Sequence, residues 1–121
     1  MSDKDKKNQI EEMTQVIEDF REKRDWKQFH NPKDLALSLA LEAAEVVEHF
    51  QWKTDEEIKK YINENRNDVG DELADVFYWV LLLSHDLDID IVEAFKRKMK
   101  ENAEKYPVEK AKGKHDKYTD L

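Results

Sequence analysis

Glu42-Ala-Ala-Glu45 and Glu72-Leu-Ala-Asp75 are the residues of this chain best placed to do chemistry. Each pair sets two carboxylates three residues apart inside an otherwise apolar segment. Residues at i and i+3 of a helix are neighbours on one face. Two such helices side by side would bring four carboxylates to one point. Four anions half-sunk between helices are very costly unless cations neutralise them. The pattern therefore points to a metal site. Acidic residues at this spacing are also the ordinary solvated face of a helix, and the chain holds 29 Asp and Glu. Both readings stand until the elements are placed.

The donor set narrows the metal. Helical di-iron sites combine Glu with Glu-x-x-His motifs. No Glu-x-x-His occurs here, and His30, His49, His85 and His115 fall off the two pairs. An all-oxygen set suits Mg2+, with Mn2+ as a substitute. Magnesium typically bridges carboxylates to the phosphates of a substrate. Trp26, Phe29, His30 and Trp52 lie at or just beyond the ends of the segments around the first pair. They read either as core and interface residues or as rings that stack on a nucleobase, worth about 1–3 kcal/mol per base. Lys98, Asn102, Lys105 and Tyr106 follow helical spacing near the end of the last helical segment. Lysines there suit the helix dipole in any case; beside the acidic cluster they would meet phosphates.

The elements that must position these groups are helices. Few Gly and Pro, with many Glu, Lys, Leu and Ala, predict an all-α chain of one domain. We expect a four-to-five-helix bundle. Residues 1–8 are polar and expected to fray. From residue 9 to 26, Ile10, Met13, Val16 or Ile17 and Phe20 recur at helical spacing. Asn31-Pro32 reads as a cap and first turn for a helix reaching about Phe50, with Leu35, Leu39, Ala43, Val46 and Phe50 as its stripe. Glu42 borders that stripe. Thr54-Asp55-Glu56-Glu57 reads as a capping box opening a short helix to about Asn63. Residues 64–67 are expected to be a polar connection. A central helix over about Asp68–Asp86 carries Val69, Leu73, Val76, Val80 and Leu87 on one stripe, with Glu72, Asp75 and Trp79 on its flank. Val76–Leu83 is apolar nearly all round, as in a helix buried on several sides or at a subunit interface. Asp90 caps a last helix through Lys105, and a Lys-rich tail follows over 107–121.

Composition excludes several classes. With no Cys there is no disulfide or thiolate metal site, and a reducing cytoplasm is the expected setting. The longest apolar run is too short to span a bilayer, so no membrane partner is expected. A net charge of −8 argues against nucleic-acid binding, which needs a basic footprint. It does not argue against a small polyanion, because bound cations invert the local sign.

Glu42-x-x-Glu45, 26 intervening residues and Glu72-x-x-Asp75 together resemble the signature of MazG-like nucleoside triphosphate pyrophosphohydrolases, all-α enzymes related to the dimeric deoxyuridine triphosphatases. Arg24-Asp25-Trp26-x-Gln28-Phe29-His30-x-Pro32 and Phe50-Gln51-Trp52-Lys53 are similar to the deoxycytidine triphosphate pyrophosphatase branch. So are Lys98-Met99, Asn102, Tyr106-Pro107 and Lys117-Tyr118-Thr119. The resemblance runs from about residue 14 to the C-terminus. It implies that Glu42, Glu45, Glu72 and Asp75 hold magnesium, and that Trp26 and Trp52 line a base pocket with Trp79 near the sugar or base. It further implies that Asn102, Lys105, Lys117 and Tyr118 reach phosphates, and that the assembly is a homotetramer, a dimer of dimers with pockets at subunit interfaces. Two positions depart from that branch. Ile17 stands in place of a base-contacting His, and Lys105 in place of an Arg, giving a point charge instead of a bidentate fork.

The expected activity is hydrolysis of a nucleoside triphosphate, dCTP or a modified pyrimidine deoxynucleotide, to the monophosphate and pyrophosphate. Glu42 or Glu45 would accept the proton of the attacking water, in the service of nucleotide-pool sanitation. The competing readings are a helical interaction protein without catalysis and a metal-dependent nucleotide sensor. Acids at all four signature positions favour the enzyme.

Overall fold

The structure, a computed structural model, describes residues 8–121. The stretch expected to fray lies outside the described residues except for Asn8, whose side chain accepts from the Glu11 N–H and caps the first helix. Five α-helices and no strand occur among the described residues: α1 Gln9–Lys23, α2 Pro32–Glu48, α3 Asp55–Asp86, α4 Ile91–Lys105 and α5 Val108–Ala111. Short 3-10 turns cover Lys27–Phe29 and Tyr118–Asp120. The chain divides into two compact units, the first ending at Asp88 and the second spanning Ile89–Leu121.

Local chemistry sets the helix starts. Pro32 occupies the first turn of α2, and the Asn31 side chain accepts from the Asp34 N–H at 2.9 Å. Thr54 and Glu57 form a reciprocal capping box at the start of α3, with bonds of 3.2 and 3.1 Å. Asp90 accepts from the Glu93 N–H at 3.1 Å and opens α4. Each cap satisfies a donor that the first turn leaves without a partner.

The expected connection at 64–67 is reduced to a kink within α3. The helix runs on through a kink at Asn65 (φ −129°, ψ 29°). Glu64 and Arg66 are good helix formers, so polarity alone does not end the helix. The Asn65 amide donates to the Tyr61 carbonyl at 3.0 Å, which satisfies an acceptor where the regular ladder is disturbed.

Within the first unit α3 packs against both α2 and α1. The buried apolar set is small: Ile17, Leu35, Leu81 and Leu82. Leu35 belongs to the expected α2 stripe, whose Leu39, Val46 and Phe50 are half-buried and whose Ala43 is exposed. On α3 the buried pair lies inside the all-round apolar run, while Leu73, expected on the core stripe, is 53% exposed. Leu37, Leu41, Val47 and Phe77 are exposed as well.

Candidate functional site

Packing of α2 on α3 turns two sequence motifs 26 residues apart into one cluster. Carboxylate oxygens of Glu42, Glu45 and Glu72 all lie within 4.8 Å of one another. Helical i, i+3 spacing puts Glu42 and Glu45 on adjacent turns of α2, and α3 brings Glu72 opposite. With all three ionised, Oε2 of Glu42 and Oε2 of Glu72 are buried and lack any hydrogen-bond donor. The physical cost shows in the acidity of Glu72. Its carboxyl is pushed up to about 8, first by hydrogen bonding to Glu42, then by burial and by the neighbouring Glu45. Like charges this close cannot all ionise unless something positive intervenes. A proton meets that need in part. A divalent cation meets it better, because it engages several oxygens at once.

The donors present fit such an ion: hard carboxylate oxygens, two of them orphaned, with no thiolate or imidazole in the group. Asp75, the fourth expected ligand, stands outside this tight group. It shares with Glu42 the lining of an adjacent cleft of about 470 Å³, whose other walls are Val16, Ile17 and Phe20 of α1, Trp26, and Tyr78 and Trp79 of α3. The acids thus edge an aromatic cavity. Phe20 meets Trp26 edge-on at 5.6 Å, and Tyr78 meets Trp79 edge-on at 4.9 Å. A flat apolar ring with a polyanionic tail matches these surfaces, the ring among the aromatics and the tail toward the acids once these carry cations.

Of the aromatic residues expected to bind a base, Trp26 and Trp79 line this cleft. His30 does not; its ring meets Trp79 edge-on at 5.8 Å, and burial and the Arg21 charge push its pKa down. Trp52 stands apart, 92% exposed, with its backbone in the left-handed region (φ 67°). For a bulky residue that conformation costs about 1–3 kcal/mol.

The expected phosphate ligands belong to the second unit, where several come together. The Tyr106 hydroxyl accepts from the Tyr118 N–H at 3.2 Å, which folds the tail back on the end of α4. Lys105 Nζ lies 4.8 Å over the Tyr118 ring and 3.1 Å from Glu101. Lys98 reaches the same carboxylate at 3.3 Å. These two cations hold Glu101 below the usual carboxylate range. Asn102 is exposed, with its carbonyl accepting the Tyr106 N–H, and the Lys117 carbonyl accepts the Asp120 N–H at 2.8 Å at the start of the last 3-10 turn.

Sequence reasoning missed a buried ion pair. Arg21 is 3% exposed and grips Asp86 with two bonds of 2.7 and 2.8 Å. Its only local signal is an Arg one turn after Ile17, on the apolar face of α1. It also missed Tyr78 as a cleft residue, because an apolar run hides which side each ring faces.

A sequence model of the MazG-like family matches residues 37–121, a span that holds all four motif acids. Mus musculus dCTP pyrophosphatase 1 is 36% identical over 114 residues, covering 93% of this chain and 67% of the relative. The Homo sapiens protein of the same name is 35% identical over 114 residues, with the same two coverages. A solved structure of a pyrophosphatase from Archaeoglobus fulgidus DSM 4304 superimposes with a TM-score of 0.79 at 37% identity. That match covers 84% of this chain and 95% of the other. The chain belongs to the MazG-like family.

Proposed function

We propose that this nucleotide pyrophosphohydrolase is Mg2+-dependent and cleaves a (deoxy)nucleoside triphosphate to the monophosphate and pyrophosphate. The favoured substrate is dCTP or a modified pyrimidine deoxynucleotide. One observation carries the reading: a carboxylate cluster with orphaned buried oxygens opens directly onto an aromatic cleft through the shared residue Glu42. The mouse and human relatives, both dCTP pyrophosphatase 1, support the choice of base.

Each step follows from these residues. Trp26 and Trp79 stack on the base, and the α1 wall closes over its edge. Glu42, Glu45, Glu72 and Asp75 hold the magnesium, with Mn2+ as a substitute. When bound, the metal neutralises the phosphates, acts as a Lewis acid and makes water more acidic. A carboxylate oxygen of Glu42 or Glu45 accepts the proton of the attacking water; we favour Glu45, the exposed member of the cluster. The water oxygen bonds to the α-phosphorus as the α–β bridging P–O bond breaks, and pyrophosphate leaves with that electron pair. A role for Lys98, Asn102, Lys105, Tyr106, Lys117 and Tyr118 in stabilising charge on the phosphates is carried by the family resemblance alone.

The assembly we propose is a homotetramer, a dimer of dimers acting in the cytoplasm on the nucleotide pool. Leu37 and Leu41 of α2, and Leu73 and Phe77 of α3, support it: each pair sits one turn apart, at 40–60% exposure. Trp52, strained and bare, is a further residue that a partner subunit would cover, and it is a third candidate ring for stacking on the base. No helix among the described residues is long and apolar enough to cross a membrane.

Incubation with a panel of standard and 5-modified triphosphates in Mg2+ tests the reading. Pyrophosphate release should be fastest with a pyrimidine deoxynucleotide. Release from none of them would defeat the enzymatic assignment.

A further inference from the structure

The aromatic cleft has two long walls, Val16, Ile17 and Phe20 on α1 and Asp75, Tyr78 and Trp79 on α3. Its width is therefore the separation of these two helices. Apolar burial does little to fix that separation, since among the described residues the pair contributes only Ile17, Leu81 and Leu82 to the buried hydrophobic set. A polar seam between the same two helices, beside the cleft, adds direct cross-links. Arg21 holds Asp86 through both terminal guanidinium nitrogens, Nη1 and Nη2, and His85 Nε2 lies 2.7 Å from Glu18 Oε1. A bidentate fork fixes distance and direction together, which a single point contact does not.

Arg21 also organises the aromatic loop. Its carbonyl accepts the Trp26 N–H at 3.2 Å, and its Nη1 lies 3.5 Å from His30 Nδ1. The His30 ring then abuts Trp79. The buried side chain thus touches the helix that carries Trp79 and the ring behind Trp79, while the backbone of the same residue holds Trp26. None of Glu18, Arg21, His85 and Asp86 lines the cleft itself.

We propose that the Arg21–Asp86 pair, flanked by Glu18–His85, is the positioning element that sets the cleft width and so the selectivity for the base. The proposal rests on the nucleotide reading above. It separates two functions in one unit: the seam governs the base end, and the carboxylates govern the phosphate end.

Arg21→Lys keeps the charge and removes the fork. Binding of a non-hydrolysable pyrimidine deoxynucleoside triphosphate and of inorganic tripolyphosphate is measured by calorimetry in Mg2+, alongside KM and kcat. A wall displaced by an ångström or so should weaken nucleotide binding and raise KM by about 10- to 100-fold, and narrow the preference over a purine. Tripolyphosphate affinity and kcat should stay within about threefold of the native protein, because the carboxylates are untouched. A folded Arg21→Lys protein with native nucleotide affinity, or one that loses both ligands equally, overturns the proposal. Should Arg21→Lys not fold, His85→Gln opens the more exposed contact and keeps the buried pair. The same selective loss, smaller in size, is then expected, and unchanged nucleotide affinity overturns the proposal. A native protein that binds tripolyphosphate but no nucleotide overturns the functional reading as well, so the two failures are distinct.

Discussion

Glu72 carries the tension of the site. Its carboxyl, pushed up to about 8 by Glu42, burial and Glu45, marks a point where negative charge accumulates faster than the protein can solvate it. The charge is useful only if a cation takes the proton's place. Two expectations follow at this scale. Glu72→Gln should remove the cation's main reason to bind: Mg2+ should raise the melting temperature of the native protein and leave that of the variant unchanged. An equal rise in both would show that the ion binds elsewhere. Glu45→Ala should cut turnover by at least about a hundredfold, the usual scale of lost acid–base help. Its circular dichroism should stay native, since Ala is the best helix former.

Helices place these residues, and here legibility from sequence divides along a physical line. The caps at Asn31, Thr54 and Asp90 were legible because each is made within four residues of chain. The Glu42/Glu45 and Glu72/Asp75 pairs were legible because i, i+3 spacing and an apolar flank are local too. The grip of Arg21 on Asp86 spans 65 residues and arises only once α1 lies on α3, so no window on the sequence contains it. The interruption expected at 64–67 was legible in position but not in extent: it is a single non-helical residue, Asn65, whose amide satisfies the Tyr61 carbonyl. The ion pair has its own signature in pH. Arg21, through its hydrogen bonds and then its charge, holds the Asp86 carboxyl below its usual 3.8. Between the folded and unfolded values the unfolded chain binds more protons, so stability rises with pH there. The contribution is present above about pH 4 and is lost as pH falls through the folded value. Asp86→Asn should therefore cost about 3 kcal/mol at neutral pH by leaving Arg21 buried without its counter-ion. Urea titrations at pH 7 and pH 3 should show that difference shrinking at the lower pH, and an equal difference at both would contradict the linkage.

At the scale of the whole molecule, the sparse set of buried apolar residues and the bare faces of α2 and α3 belong together. A chain of 121 residues with four buried hydrophobic residues among those described leaves apolar surface for a neighbour to cover. Leu41→Glu with Phe77→Glu should break the proposed tetramer, read as a fall in mass by light scattering. A native protein that is already monomeric would remove that part of the proposal. The central claim concerns which phosphorus is attacked, and isotope labelling answers it directly. With dCTP, Mg2+ and water enriched in oxygen-18, the proposed mechanism predicts one labelled oxygen in the nucleoside monophosphate and none in the pyrophosphate. Label in the pyrophosphate, or products that are the diphosphate and orthophosphate, would contradict it.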